Sequence, residues 1–239
     1  MFRRKEVWLS DYPFDIKGCH FVSFYACKNF VSDTKFAFKK VNTLIIDLTQ
    51  DLDVIWSNME KKSCQYPIKR ALRENIQIKL NDHYEEYYHL NMDFKKQKGL
   101  RPYSMDNAES IRNNTLFTAE LNGEVVAGQS YIEDESNIRW ILGASKRLNV
   151  DKDKAILIGC ANRLMNWEAI KYAKQKGIIE FDMGGYYTGD DQTDSKFSVN
   201  IYKKSFGGKL VDRYNYTKSY SSTYDFVLKL RSILLQLRK

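Results

Sequence analysis

Proline is scarce in this chain, with only Pro13, Pro67 and Pro102 among 239 residues, and glycine numbers twelve. So few turn formers argue against an all-β protein built on many tight turns. The four cysteines, Cys19, Cys27, Cys64 and Cys160, include no CxxC pair and no histidine spacing suited to zinc. They are too few for a disulfide framework in a chain of this length, and Cys160 falls on an apolar helix face as a core residue. His83 and His89 lie six residues apart on one predicted helix, off the spacing that would turn both to one metal. No run of eighteen apolar residues exists, so no membrane-spanning helix is expected. The basic opening MFRRKEVW is not followed by the apolar stretch of a signal peptide. These absences lead to the expectation of a metal-free protein in a reducing cytoplasm.

What is present is ordinary globular composition, 43% hydrophobic and 28% charged. The net charge of +8 favours an anionic partner: cofactor phosphates, a nucleotide-linked substrate, RNA or an acidic membrane. Aromatic residues make up 14%, which suits strand packing and, secondarily, a lined groove.

Short strands are expected in residues 1–40, and TLIIDL (residues 43–48) reads as a buried strand. It leads into a helix carrying Leu52, Ile55, Trp56 and Met59, capped by Thr49 or Asp51. Beyond Pro67 come a basic helix, an alternating strand through Ile76, Ile78 and Leu80, and an amphipathic helix from Asp82 to Gly99. The second half predicts a hairpin, Leu116 to Leu121 and Glu124 to Tyr131, turning at Asn122-Gly123. A strand from Ile138 to Ala144, a long helix from Lys154 to Gly177 and a strand from Ile178 to Asp182 follow. A short helix over Ser195 to Ser205 and a strand from Lys209 to Tyr216 close the pattern. The strand–helix–strand unit implies a right-handed parallel crossover inside a mixed sheet. Ligands of such sheets gather outside the carboxyl ends of the strands, here Gly143-Ala144-Ser145 and Asp182 to Gly185. The expected division is an N-terminal α/β part, residues 1–104, on the substrate side, and a core of residues 105–239. The final amphipathic helix, Tyr224 to Leu237, would pack on its own domain or on a second copy in a homodimer.

Three segments carry a resemblance: residues 43–80 (TLIIDL, Trp56, PIKRALRENIQI), WILGAS at 140–145, and FDMGGYY…NIYKKSFGG at 181–208. In this order they resemble the GNAT acyltransferase superfamily, and within it the branch of the FemX-type peptidoglycan bridge transferases. The resemblance implies an α/β fold with a GNAT-like central mixed sheet flanked by helices. The chain departs from that branch in lacking its helical arm and in having Tyr202 where phenylalanine is usual.

What the resemblance implies for the site is specific. Tyr202 matches a tyrosine that protonates the departing thiolate of CoA in acyl-CoA-dependent members, a job suited to a positioned proton donor. Lys203 matches a lysine that stabilises charge on the acyl carbonyl. Asp182 would accept or orient the acceptor amine, or else cap the Gly184-Gly185 turn. Gly184, Gly185, Tyr186 and Tyr187 would line the acceptor site, with Lys69, Arg70 and Arg73 holding substrate phosphates or forming a solvated helix face. Gly143, Ala144 and Ser145 would offer backbone groups to the pantetheine of acyl-CoA. Arg147 and Lys154 would supply charge for its pyrophosphate at the next helix N-terminus, replacing a glycine-rich loop that is not evident.

The leading expectation is therefore N-acyl transfer from acyl-CoA to the amine of an anionic acceptor, a nucleotide-linked amino sugar of surface-polysaccharide synthesis. The alternative is an aminoacyl-tRNA-dependent transferase acting on a peptidoglycan precursor, for which the basic charge would serve RNA. A non-catalytic binding module on a decayed version of the fold is a third reading.

Overall fold

The computed structural model describes residues 2–32, 35–100, 111–191 and 193–236. The chain forms two compact units, Leu44–Leu210 and a smaller one made of Met1–Thr43 with Val211–Lys239. The expected boundary at residues 104–105 lies outside the described residues.

In the larger unit the strands run in the order β3-β8-β7-β6-β5-β4. They are β3 (Ala37–Asp47, whose last residues belong here), β4 (Gln77–Leu80), β5 (Thr115–Leu121), β6 (Glu124–Glu133), β7 (Asn137–Ser145) and β8 (Glu180–Tyr186). Neighbours from β4 to β7 pair antiparallel, whereas β7 and β8 pair parallel, so the sheet is mixed. The β5–β6 turn has positive φ at both Asn122 and Gly123, the backbone that a two-residue hairpin requires.

The parallel pair is joined by the long helix, here α4 (Lys152–Gln175), after α1 (Leu52–Asn58), α2 (Tyr66–Arg73) and α3 (Tyr84–Gln97). Helix α4 starts at Asp151, whose carboxylate accepts from the backbone N–H groups of Asp153 and Lys154. It stops at Gly177, where φ is +81° and the Ile178 N–H returns to the Ala173 carbonyl. That return delays the next strand to Glu180, two residues beyond the expected start.

Successive residues of β6 face opposite sides of the sheet, and each side receives one helix. Gly128 lies under the Tyr87 ring of α3, where an added Cβ would come within 2.3 Å. Gln129, the next residue, donates to the Asn162 carbonyl of α4. The core between α4 and the sheet buries Ile158, Leu164, Met165, Ile170, Tyr131, Phe181 and Met183. Truncating one such aliphatic side chain to alanine costs about 2–5 kcal/mol.

The smaller unit carries β1 (Arg4–Trp8) parallel to β2 (Phe21–Cys27), and β2 antiparallel to β9 (Lys209–Ser219). Its core holds Val22, Phe24, Cys27, Phe36 and Tyr216. Helix α5 (Ser195–Lys204) belongs to the larger unit, and α6 (Ser222–Gln236) to the smaller. Among the described residues no helix is long and apolar enough to cross a membrane.

Candidate functional site

Strands β7 and β8 pair only at Asn137↔Glu180, Ile138↔Phe181 and Arg139↔Asp182. Both strands continue, β7 to Ser145 and β8 to Tyr186, so beyond Asp182 they leave a wedge between them. Asp182 stands at its apex. Its carboxylate forms a buried ion pair with Arg139 and accepts from the Gly184 N–H at 2.7 Å. It thus holds the turn, the second of the two expected roles, with an arginine that sequence reading had not singled out.

Gly184 makes the close approach to β7. Its φ is +79°, and a Cβ there would sit 2.8 Å from the Trp140 carbonyl oxygen. The Lys203 ammonium enters the same space from α5. It donates to the Gly185 carbonyl at 2.5 Å, lies 5.5 Å from the Trp140 ring centroid, and is 3.7 Å from where a Gly184 Cβ would be. Lys203 is buried at 6% exposure. Burial pulls its pKa down to about 8; Asp182 pulls it upward and Arg139 presses it further down.

The Trp140 indole lies on the β7 side of the wedge, beside Lys203. Its Nε1–H donates to the Leu142 carbonyl at 2.8 Å, and its ring edge lies 2.8 Å from where a Gly143 Cβ would be. The Tyr202 ring lies beyond it, with centroids 6.0 Å apart and the planes tilted by 54°. The Tyr202 hydroxyl points inward, donating to the Asn162 carbonyl at 2.9 Å and accepting from Asn166 Nδ2 at 2.7 Å. Burial raises its pKa well above the ordinary phenol value, opposed chiefly by Arg163, whose guanidinium lies 4.9 Å over the ring.

The fold that carries this wedge has counterparts among solved structures. FemX superposes with a TM-score of 0.66 at 13% identity, over 87% of this chain and 74% of that one. L-PGS from Bacillus licheniformis gives 0.56 at 14% identity, over 88% and 72%. The C-terminal domain (DUF2156) of an Agrobacterium fabrum protein described as a lysylphosphatidylglycerol synthetase gives 0.57 at 12%, over 90% and 72%. The chain has a GNAT-like fold. No protein-family model and no curated sequence matches it.

The wedge brings together Asp182, Gly184, Gly185, Tyr202 and Lys203, and adds Arg139 and Trp140. The other expected residues lie in different settings. Lys154 pairs with Glu124 at 2.9 Å, as does the neighbouring Lys146 at 2.7 Å. The N-terminus of α4 is taken by the Asp151 carboxylate. A cavity of about 670 Å³ opens there, lined by Ser145, Lys146 and Lys154 but also by Glu86, Asp93 and Glu124. Arg147 runs along Gly159 of α4, and Gly143 and Ala144 pair with Gln129 and Gly128.

Tyr186 packs against the core, while the Tyr187 backbone is clasped by the Asn200 amide. On α2, which packs on α4, the Lys69 ammonium lies 5.8 Å over the Trp56 ring. Arg70 stands 3.7 Å from Glu74, and Arg73 is exposed. Burial pushes the Cys64 thiol up to about 12 and raises Cys160, as for core residues. Among the described residues no group of three or more His, Cys, Asp or Glu is placed to hold a metal.

The residues missed had faint signals. Arg139 is a charged side chain inside the apolar run IRWILG, and Asn162 and Asn166 recur at i, i+4 on an otherwise apolar face.

Proposed function

We propose that this chain is an N-acyltransferase in which an amine attacks an activated carbonyl held in the wedge between β7 and β8. The observation that carries this reading is the buried Lys203 ammonium, fixed between the Trp140 ring and the Gly185 carbonyl where strand pairing ends. With a pKa drawn to about 8, it is largely charged at neutral pH. Addition of the amine to the carbonyl places negative charge on oxygen, and a preorganised donor in a dry site stabilises that charge. Collapse of the adduct forms the amide and expels the leaving group, which takes up the proton lost by the amine. No covalent enzyme intermediate is needed. Asp182 and Arg139 position the Gly184 turn, and Gly184 itself lets the acceptor approach.

For the donor, an aminoacyl ester on RNA fits this wedge better than acyl-CoA. Trp140 occupies the strand edge that pantetheine would bind, the α4 N-terminus is capped by Asp151, and Lys146 and Lys154 are held by Glu124. Tyr202 keeps its proton on a backbone carbonyl and serves as a positioning residue under Trp140 and Lys203. The names of the lysylphosphatidylglycerol synthetases among the similar structures point to aminoacyl transfer as well. The acceptor is an amine on an anionic carrier, such as a nucleotide-linked amino sugar or a cell-wall precursor.

The test is donor consumption by the purified chain with a panel of amine acceptors. Acceptor-dependent loss of aminoacyl-tRNA, with no thiol release from acyl-CoA, is expected. Thiol release would move the donor to acyl-CoA, and activity of either kind surviving Lys203→Ala would overturn the role of the wedge.

A further inference from the structure

The two units differ sharply in charge. Residues 1–43 and 211–239 together carry fourteen Lys and Arg against six Asp and Glu, while residues 44–210 carry twenty-four of each. The whole net charge of +8 therefore resides in the smaller unit.

That unit also holds a helix with two apolar sides. Tyr224 of α6 is buried, its ring 5.2 Å from Phe2 and 5.4 Å from Phe21, so this side docks the helix on its own unit. Phe226, Val227 and Leu230 are exposed at 61%, 42% and 44%. At about 100° per residue, Phe226 and Leu230 fall on the side away from Tyr224. Lys229 stands at a position beside the stripe. Three exposed apolar side chains within five positions of one helix ask for a cover.

We infer that α6 docks the smaller unit on an acidic phospholipid surface, its outer stripe sunk to the acyl boundary and the unit's excess of basic residues drawn to the headgroups. A helix with an apolar stripe and basic flanks lies in that plane, drawn by apolar burial and by anionic lipid together. A second copy would bring one strongly basic unit against another, which like charge opposes. RNA would meet the charge, yet aliphatic side chains such as Val227 and Leu230 offer bases no stacking surface. Membrane docking stands independently of the transfer chemistry in the larger unit.

The experiment is flotation of the full chain with vesicles of phosphatidylcholine alone or of phosphatidylcholine and phosphatidylglycerol in equal parts. The chain is expected to float at least tenfold more with the acidic vesicles, and to be released as salt shortens the Debye length. The double variant Phe226→Ser with Leu230→Ser should lose at least tenfold in binding, with its thermal unfolding unchanged because both side chains face outward. Lys229→Glu should lower binding to acidic vesicles alone. Absence of flotation, or flotation unaffected by the serine variant, would overturn the proposal. So would a dimer in size exclusion that the serine variant dissociates, or salt-sensitive RNA binding without vesicle binding.

Discussion

Lys203 and Lys154 each lie near a carboxylate in the larger unit, and on sequence either serves an anion. The structure separates them. Lys203 is 6% exposed and bonded to a backbone carbonyl, and its charge is destabilised by burial. Lys154 is held by Glu124 with side chains about a third to a half exposed, and Lys146 shares the same carboxylate. A buried ammonium of depressed pKa gains from a developing oxyanion, because the oxyanion supplies the partner that burial withheld. An exposed one already has a partner and water. On the proposed reading, position at the parting of the strands, rather than charge, marks the working lysine.

The comparison breaks most decisively at Lys203. Lys203→Ala should lower turnover by about 10²–10³, the loss seen when one oxyanion donor is removed, with substrate affinity little changed. The pH profile sharpens it. The ammonium is present below its pKa and lost above it, so the rate should fall as pH rises through about 8. In Lys203→Arg the charge persists to far higher pH, so the falling limb should vanish even if the rate is reduced. A wild-type limb that persists in the arginine variant would assign the titration to another group.

Next in size is Asp182→Ala. It leaves Arg139 buried without its carboxylate and frees the Gly184 N–H, so a loss of about 3–5 kcal/mol in denaturant unfolding is expected. A loss below 1 kcal/mol would show that the apex is held by other contacts.

Tyr202→Phe should be gentler and more telling. It removes the hydroxyl between Asn166 and the Asn162 carbonyl, costing about 1–3 kcal/mol of stability for the unmet polar group. Turnover per folded molecule should stay within about threefold of wild type. A hundredfold fall with the fold intact would restore a proton-donor role and, with it, a thioester donor.

Much of this was readable before the structure because local signals agreed. Asn122-Gly123 between alternating strands and Gly177 after an apolar-periodic helix each specify one backbone outcome. The glycine pair after Asp182 marks a turn for the same reason, whereas the lysine of NIYKKSFGG is picked out by its resemblance to a family motif. Other features were hidden by alternation or by distance. Strand β3 begins at Ala37, six residues before the apolar run, because Phe38, Lys39 and Lys40 are all exposed and break the pattern. Arg139 reads as an oddity in an apolar strand, since its partner Asp182 is 43 positions away and meets it only through the parallel crossover. Trp140 is read only as part of the strand motif WILGAS; its place in the wedge depends on strand pairing ending at Arg139↔Asp182.

The smallest expected effect is at the exposed pair. Lys154→Ala removes one of two lysines on Glu124, and the second, Lys146, remains at 2.7 Å. Exposed ion pairs contribute about 0.2–1 kcal/mol, and a shared carboxylate keeps most of that. Unfolding should shift by no more than about 0.5 kcal/mol, and turnover with an aminoacyl ester donor should not change. Glu124→Gln frees both lysines at once and, at low salt, should improve binding of a phosphate-bearing donor only if the cavity beside α4 receives phosphates. If Lys154→Ala cut turnover as deeply as Lys203→Ala, the two lysines would belong to one site, and a pyrophosphate at the α4 N-terminus would have to displace Glu124 and Asp151 to reach it.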